Sequence, residues 1–251
     1  MGRGNKKEAI AALHREQIMK AAETLFSEKG YVQTTIEDIS KISEYSRRTI
    51  YTYFESKDDI LHHIIEKGLV DLKADLENAL NLNGDFVMKY KAVFNAMKKY
   101  HEECPHSVEN VNNAKSHNFD YSTLSDTVKH ILVLGTEINE LLATFIEKGK
   151  VDGIVRQDIV PMMSVYVLWS NITSLLTLSQ TKGRFISKQF SISEDVFLDY
   201  GFKQIINSIL EVRIWNEELH MVGLSYLWWK NPQSSSDRYD IKKLPSLLSE
   251  V

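Results

Sequence analysis

Apolar residues recur along most of this chain at the spacing of a helix, with polar residues filling the intervals. Between His14 and Lys29, Ile18, Ala21, Ala22, Leu25 and Phe26 share one helical face, and Gly30 follows where a helix C-cap favours positive φ. Thr34 and Thr35 precede Glu37 and Asp38 in a capping-box pattern, and Ile36, Ile39 and Ile42 mark a short second helix. Ser43, Glu44 and Tyr45 interrupt it. Ser46 then caps a third short helix, Arg47 to Phe54, in which Ile50 and Phe54 form the inward pair. Tyr51 is the most exposed aromatic of this helix, and Tyr53 fits either the surface or the core. Ser56 with Asp59 is a further capping box, opening a fourth helix whose stripe runs through Ile60, Leu61, Ile64, Ile65, Leu69, Leu72, Leu76 and Leu80. Lys57 in its first turn opposes the helix dipole and calls for a reason.

Beyond a break at Asn83 and Gly84, Phe86, Tyr90, Val93, Phe94 and Met97 define a fifth helix. Residues 102–120 are polar and Asn-rich and read as a loop or a short helix. A long amphipathic helix from Leu124 to Phe145 is expected to end at Gly149, and a turn over 151–160 leads to a strongly apolar stretch, Met162 to Leu178. A last helix begins at Ser193 and carries Phe197, Tyr200, Ile205, Ile206, Ile209 and Leu210. Residues 213–251 change character, with Trp215, Trp228 and Trp229 followed by the low-complexity run Gln233 to Asp237. The segment to 230 is too apolar for a disordered end and is expected to pack, while 231–240 should be loose.

Composition narrows the class. Only 11 Gly and 4 Pro punctuate 251 residues, too few for a turn-rich β architecture, so the fold class predicted is all-α. A single cysteine, Cys104, excludes an intramolecular disulfide. No apolar run approaches the roughly 18 residues of a membrane span, and the first residues lack a signal-peptide core, so a cytoplasmic protein without a membrane partner is expected. The formal charge of -4 is not that of an obvious nucleic-acid binder. Residues 1–60 balance to zero, but Arg3, Lys6 and Lys7 precede any acid, and Arg47, Arg48 and Lys57 form a second basic spot.

Catalytic chemistry has no visible machinery. His101, Cys104, His106 and His117 gather in one polar region, but without an HExxH or a paired CxxC they read as solvated histidines, and no metal or cofactor is expected. There is no phosphate-binding glycine loop and no nucleophile elbow. The Asn171-Ile172-Thr173 sequon falls in an apolar helix and carries no weight.

Two short helices joined by a three-residue turn give the outline of a helix-turn-helix. The run Ser46-Arg47-Arg48-Thr49-Ile50-Tyr51-Thr52-Tyr53-Phe54-Glu55-Ser56-Lys57-Asp58-Asp59-Ile60, preceded by Phe26, Gly30, Thr34 and Thr35, closely resembles the N-terminal domain of TetR-family transcriptional regulators. The resemblance covers residues 14–65, and the 149–158 turn is a weaker echo. It implies a DNA-binding domain over 1–60, a regulatory and dimerisation domain over 61–212, and a C-terminal extension, 213–251, of open role. Arg47 and Arg48, at the start of the second helix of the motif, are the candidates for reading guanine edges. Thr49 and Tyr51 can touch bases or sugars, and Ser46 caps the reading helix. Thr35, Tyr53 and Lys57 match the family's phosphate-gripping positions, which set register rather than sequence preference.

The family usually has Gly where this chain has Glu44; a carboxylate side chain there carries backbone strain of about 1 kcal/mol and opposes phosphate. The resemblance further implies a homodimer, joined through helices at about 160–181 and 193–212. Met162, Val165, Trp169, Ile172, Leu176, Phe197, Tyr200, Ile205 and Ile209 would supply the apolar interface. It also implies a repressor of a partly palindromic double-stranded operator, released by a small-molecule effector. Tyr90, Phe94, Met97, Tyr166 and Trp169 suit an apolar or aromatic effector, and each fits a plain core role equally well. The rival reading is a helical ligand-binding or enzymatic bundle that has lost DNA binding.

Overall fold

The computed structural model describes residues 3–104 and 121–211. The calls on His106, His117, most of the 102–120 segment and the 213–251 tail lie outside them. Residues Met1–Ile209 form one compact unit. Its described part is built from eight α-helices: α1 (Arg3–Lys29), α2 (Ile36–Ser43), α3 (Arg47–Tyr53), α4 (Lys57–Leu80), α5 (Phe86–Glu103), α6 (Asp126–Val151), α7 (Pro161–Phe190) and α8 (Glu194–Asn207). The all-α class is as the periodicity predicted.

Helix starts at Thr35, Ser46, Ser56 and Ser193 follow the side-chain chemistry read from the sequence, and Asp85 and Ser125 add two more of the same kind. Thr35, Ser46, Ser56, Asp85, Ser125 and Ser193 each accept a hydrogen bond from a first-turn backbone N–H of α2, α3, α4, α5, α6 and α8. α7 has no such side chain and instead begins on Pro161, whose missing N–H costs nothing in a first turn.

Several boundaries differ from expectation: α6 starts at Asp126, past Leu124, and α8 ends at Asn207, short of Ile209 and Leu210. α1 starts at Arg3 rather than His14, because Lys6 to Leu13 are mostly good helix formers that extend the helix without a buried face. α6 does not end at Gly149 but continues to Val151, with Gly153 taking the positive φ of the turn. Gly149 is buried, and a Cβ there would stand 2.6 Å from both Phe86 and Val155, so the glycine permits close packing rather than a stop. α7 is 30 residues long and carries an 18-residue window apolar enough to cross a membrane by length and composition, correcting the statement that no such run exists. In this fold it packs on α5, α6 and α8.

α1, α2 and α3 form a small head around Ile18, Ala22, Phe26, Ile39, Ile50 and Phe54, all but inaccessible to solvent. Full burial stabilises each large side chain by about 1.5–3 kcal/mol. α4 joins the head to the remaining helices, burying Ile60 and Leu61 at one end and Leu72, Leu76 and Ala79 at the other. The predicted boundary at residue 60 therefore falls inside one continuous rod.

Candidate nucleic-acid interface

The reading surface is fixed from below. Gly30, at φ 85°, ends α1, and the buried Thr34 hydroxyl donates to the Gly30 carbonyl at 2.8 Å, setting the bend into α2. Thr35 opens α2 through a reciprocal box with Asp38, whose carboxylate also receives Lys29 Nζ at 2.7 Å. Those hydrogen bonds, from Lys29 first and then Thr35, hold the Asp38 carboxyl far below the usual carboxylate range. Glu44 sits at φ 61°, ψ 12°, the left-handed conformation that the turn was expected to demand.

α3 begins at Ser46, whose Oγ accepts from the Thr49 N–H at 3.1 Å. Ile50 and Phe54 point inward and are buried, which leaves the opposite face outward. Ser46, Arg47, Arg48 and Tyr51 are exposed on it and Thr49 is half-buried. Arg47 Nε lies 3.3 Å from Glu37 of α2, while Arg48 has no ion-pair partner among the described residues. Tyr53, left open by the sequence, is half-buried: its hydroxyl meets His14 Nδ1 at 2.8 Å, and the Arg15 guanidinium lies 5.7 Å from its ring centre. His14 and Arg15 were not among the candidates, since nothing in local spacing predicts that α1 flanks α3.

Lys57 has its reason. Its ammonium donates to the carbonyls of Tyr31 at 2.8 Å and Thr34 at 2.9 Å and rests 4.2 Å from the Tyr31 ring centre. The side chain thus ties the α1–α2 bend to the start of α4, and burial pulls its pKa below the usual lysine value. Two of its three donors are used within the chain, which leaves one for a phosphate.

This constellation is a helix-turn-helix head with a capped, outward-facing second helix and arginines at its N-terminus. Residues 18–64 match the family model described as bacterial regulatory proteins, tetR family. Over these residues the head is similar to the DNA-binding domain of TetR-family regulators. The chain is 29% identical over 156 residues to the transcriptional repressor KstR2 of Rhodococcus jostii, a match spanning 58% of this chain and 69% of that one. It is 53% identical to the regulator HbdR of an Aromatoleum strain, but over 47 residues and a fifth of that protein, so this likeness is confined to the head. Among solved structures, the ketosteroid regulator KstR2 of Mycobacterium tuberculosis superposes with a TM-score of 0.60 at 14% identity, covering 78% of this chain and 95% of that one. A regulator from Saccharomonospora viridis, solved with choline, gives 0.60 at 19% identity over 80% and 99% of the two chains. All four are named as transcriptional regulators or repressors, and the two solved structures share the fold described above.

The candidate effector residues divide. Tyr90, Phe94 and Met97 are buried in the core of the larger part, where Tyr90 and Phe94 meet Phe202 of α8 with ring centres 5.8 and 5.3 Å apart. Burial pushes the Tyr90 phenol well above its usual range, so it stays protonated at any working pH. Trp169 is half-buried and donates to Asn139 Oδ1 at 3.0 Å. Tyr166 is not with them: it is 62% exposed on the outer side of α7, because Val165 and Leu168 take the inward positions of that turn. Phe202 was missed because its helix shows its core face only once packed. A cleft of about 390 Å³ lies elsewhere, between α1, α4 and α5, lined by Glu23, Lys67, Asp71, Asp75, Tyr100 and Glu103 among others. Its lining carries four carboxylates and Lys67 beside Leu72, Tyr100 and Cys104, and includes none of the candidate effector residues.

Proposed function

We propose that the chain is a repressor that binds a partly palindromic operator as a homodimer and is released by a small-molecule effector. One observation carries the DNA-binding reading: Ser46 caps α3 so that Arg47, Arg48 and Tyr51 stand exposed on its outer face, Arg48 with no ion-pair partner among the described residues. An arginine there matches the two acceptors of guanine, O6 and N7. In this reading Arg48, free of carboxylates, reads a base, while Thr35, Tyr53 and Lys57 set register on phosphates. Thr49 and Ser46 contact the backbone or base edges beside them. The dimer reading draws support from the exposed apolar side chains of α7 and α8. The effector is proposed to be apolar or aromatic and to bind among Tyr90, Phe94, Met97 and Trp169. It would act by tilting α4, which carries Lys57 at one end and core leucines at the other.

Selection of genomic fragments bound by the full chain tests the reading. A partly two-fold consensus is the expected result, with half-sites about one helical turn apart or a little more. On the selected site Arg48→Ala should lose about 1–3 kcal/mol of specific binding and little on random DNA. Lys57→Ala should weaken both alike and also lower the melting temperature, since it unties the α1–α2 bend. Two observations favour the rival, a bundle without DNA binding: Glu44 in the turn and the Arg47–Glu37 pair. Absence of enrichment at low salt would establish that rival.

A further inference from the structure

We propose that the N-terminal extension of α1 is a second DNA-contacting element, placing Lys6 and Lys7 against phosphates that flank the half-site facing α3. The inference rests on the DNA-binding reading above and goes beyond the helix-turn-helix itself.

The placement comes from where α1 begins to pack. His14 and Arg15 lie against Tyr53 in the last turn of α3, and Gln17 accepts a hydrogen bond from the Tyr45 hydroxyl in the turn before it. Ile18 is the first residue of α1 to be fully buried. This turn of α1 therefore runs alongside the reading helix. N-terminal to it, residues 6–10, 12 and 13 are exposed, including Ile10 and Leu13. At about 1.5 Å per residue, Lys7 stands about 10 Å beyond His14. Lys7 lies two turns before His14 and Lys6 three turns before Gln17, so each shares the side of α1 that touches Tyr53 or Tyr45. A duplex lying against α3 has a major groove about 12 Å wide, so its bounding phosphates fall within reach of such an arm.

Charge supply points the same way. Residues 1–60 hold equal numbers of cations and acids, and several cations of the head are engaged internally. Lys29 is paired with Asp38, Arg47 with Glu37, and Lys57 is held on two carbonyls. Glu37 and Glu44 are exposed on α2 and at its end. Lys6 and Lys7 have no carboxylate within ion-pair distance among the described residues, and they are exposed. A polyanion is bound through cations that are free to replace its counterions, and the arm supplies two per subunit.

The test uses the full chain and a fragment from the genomic selection, prepared both trimmed to its half-sites and with eight base pairs restored on each flank, titrated with KCl. For the wild type, the flanks should tighten binding about fivefold or more and steepen the dependence of log K on log salt by about 2 per subunit. Lys6→Ala/Lys7→Ala, which keeps helix propensity, should lose both gains while binding the trimmed site within about twofold of wild type. Lys6→Arg/Lys7→Arg should keep them. Flanks that leave wild-type affinity and slope unchanged would overturn the arm but not the helix-turn-helix, as would an alanine variant weakened equally on both fragments. A wild type that binds neither fragment would overturn both.

Discussion

Glu44 is the residue at which local chemistry and backbone disagree. It occupies the left-handed region at φ 61°, where an L side chain costs about 1–2 kcal/mol. Glycine removes that strain but adds unfolded-chain entropy, so Glu44→Gly should gain roughly 0.5–1 kcal/mol, read as a higher midpoint in urea. It should also tighten operator binding by removing a carboxylate from the turn before α3. Asp38 offers a pH prediction with a definite sign. Its folded pKa is depressed by Lys29 and Thr35, so its contribution is fully present above the unfolded carboxylate value of about 3.9 and is lost as pH falls toward the folded value. Asp38→Asn should therefore be less stable than wild type at pH 7, with the difference closing below about pH 4 in denaturant titrations.

At the scale of elements, α6 carries two glycines with different duties. A Cβ on Gly149 would meet Phe86, whose ring is stacked on Phe145 at 4.4 Å and has little room to retreat. A Cβ on Gly135 would meet nothing within 4 Å. Gly149→Ala should cost about 1–3 kcal/mol by overpacking, whereas Gly135→Ala should gain about 0.5–1 kcal/mol of helix propensity. Thermal unfolding of the two variants, side by side, checks the contrast. α4 matters for a different reason: its first turn holds the α1–α2 bend through Lys57, and its later turns are buried in the larger helical part. In the proposed mechanism a tilt of this rod would displace the head.

At the scale of the whole molecule, α7 and α8 carry several exposed apolar side chains. Met163, Tyr166 and Val167 are 68%, 62% and 57% exposed on one side of α7, and Tyr200 is exposed on α8. The set nominated from the sequence overlaps this one at Met162 and Tyr200. Val165, Ile172, Leu176 and Ile209 are buried within the subunit, so the interface proposal now rests on Met162, Met163, Tyr166, Val167 and Tyr200. If the proposed dimer forms through this face, the wild type should sediment as a dimer at micromolar concentration, and Met163→Glu/Val167→Glu should sediment as a monomer, keep its helical circular dichroism, and lose operator binding.

What the sequence determined by itself was local. Caps at Thr35, Ser46, Ser56 and Ser193 and the inward pair Ile50 and Phe54 follow from short-range hydrogen bonding and helical period, which act within a few residues, whereas the positive φ at Glu44 is an expectation carried by the family resemblance. Those rules located α2, α3 and the start of α4, and with them the outward placement of Arg47, Arg48 and Tyr51. Tertiary structure decided whatever depends on a partner far along the chain. Lys57 finds the carbonyls of Tyr31 and Thr34, Tyr53 finds His14, Gly149 yields to Phe86, and Phe202 completes the aromatic core, each across a separation that periodicity cannot measure. The same holds for Tyr166 and Val165: adjacent residues on one apolar helix are indistinguishable by hydrophobicity, and only the neighbouring helices settle which of them meets water.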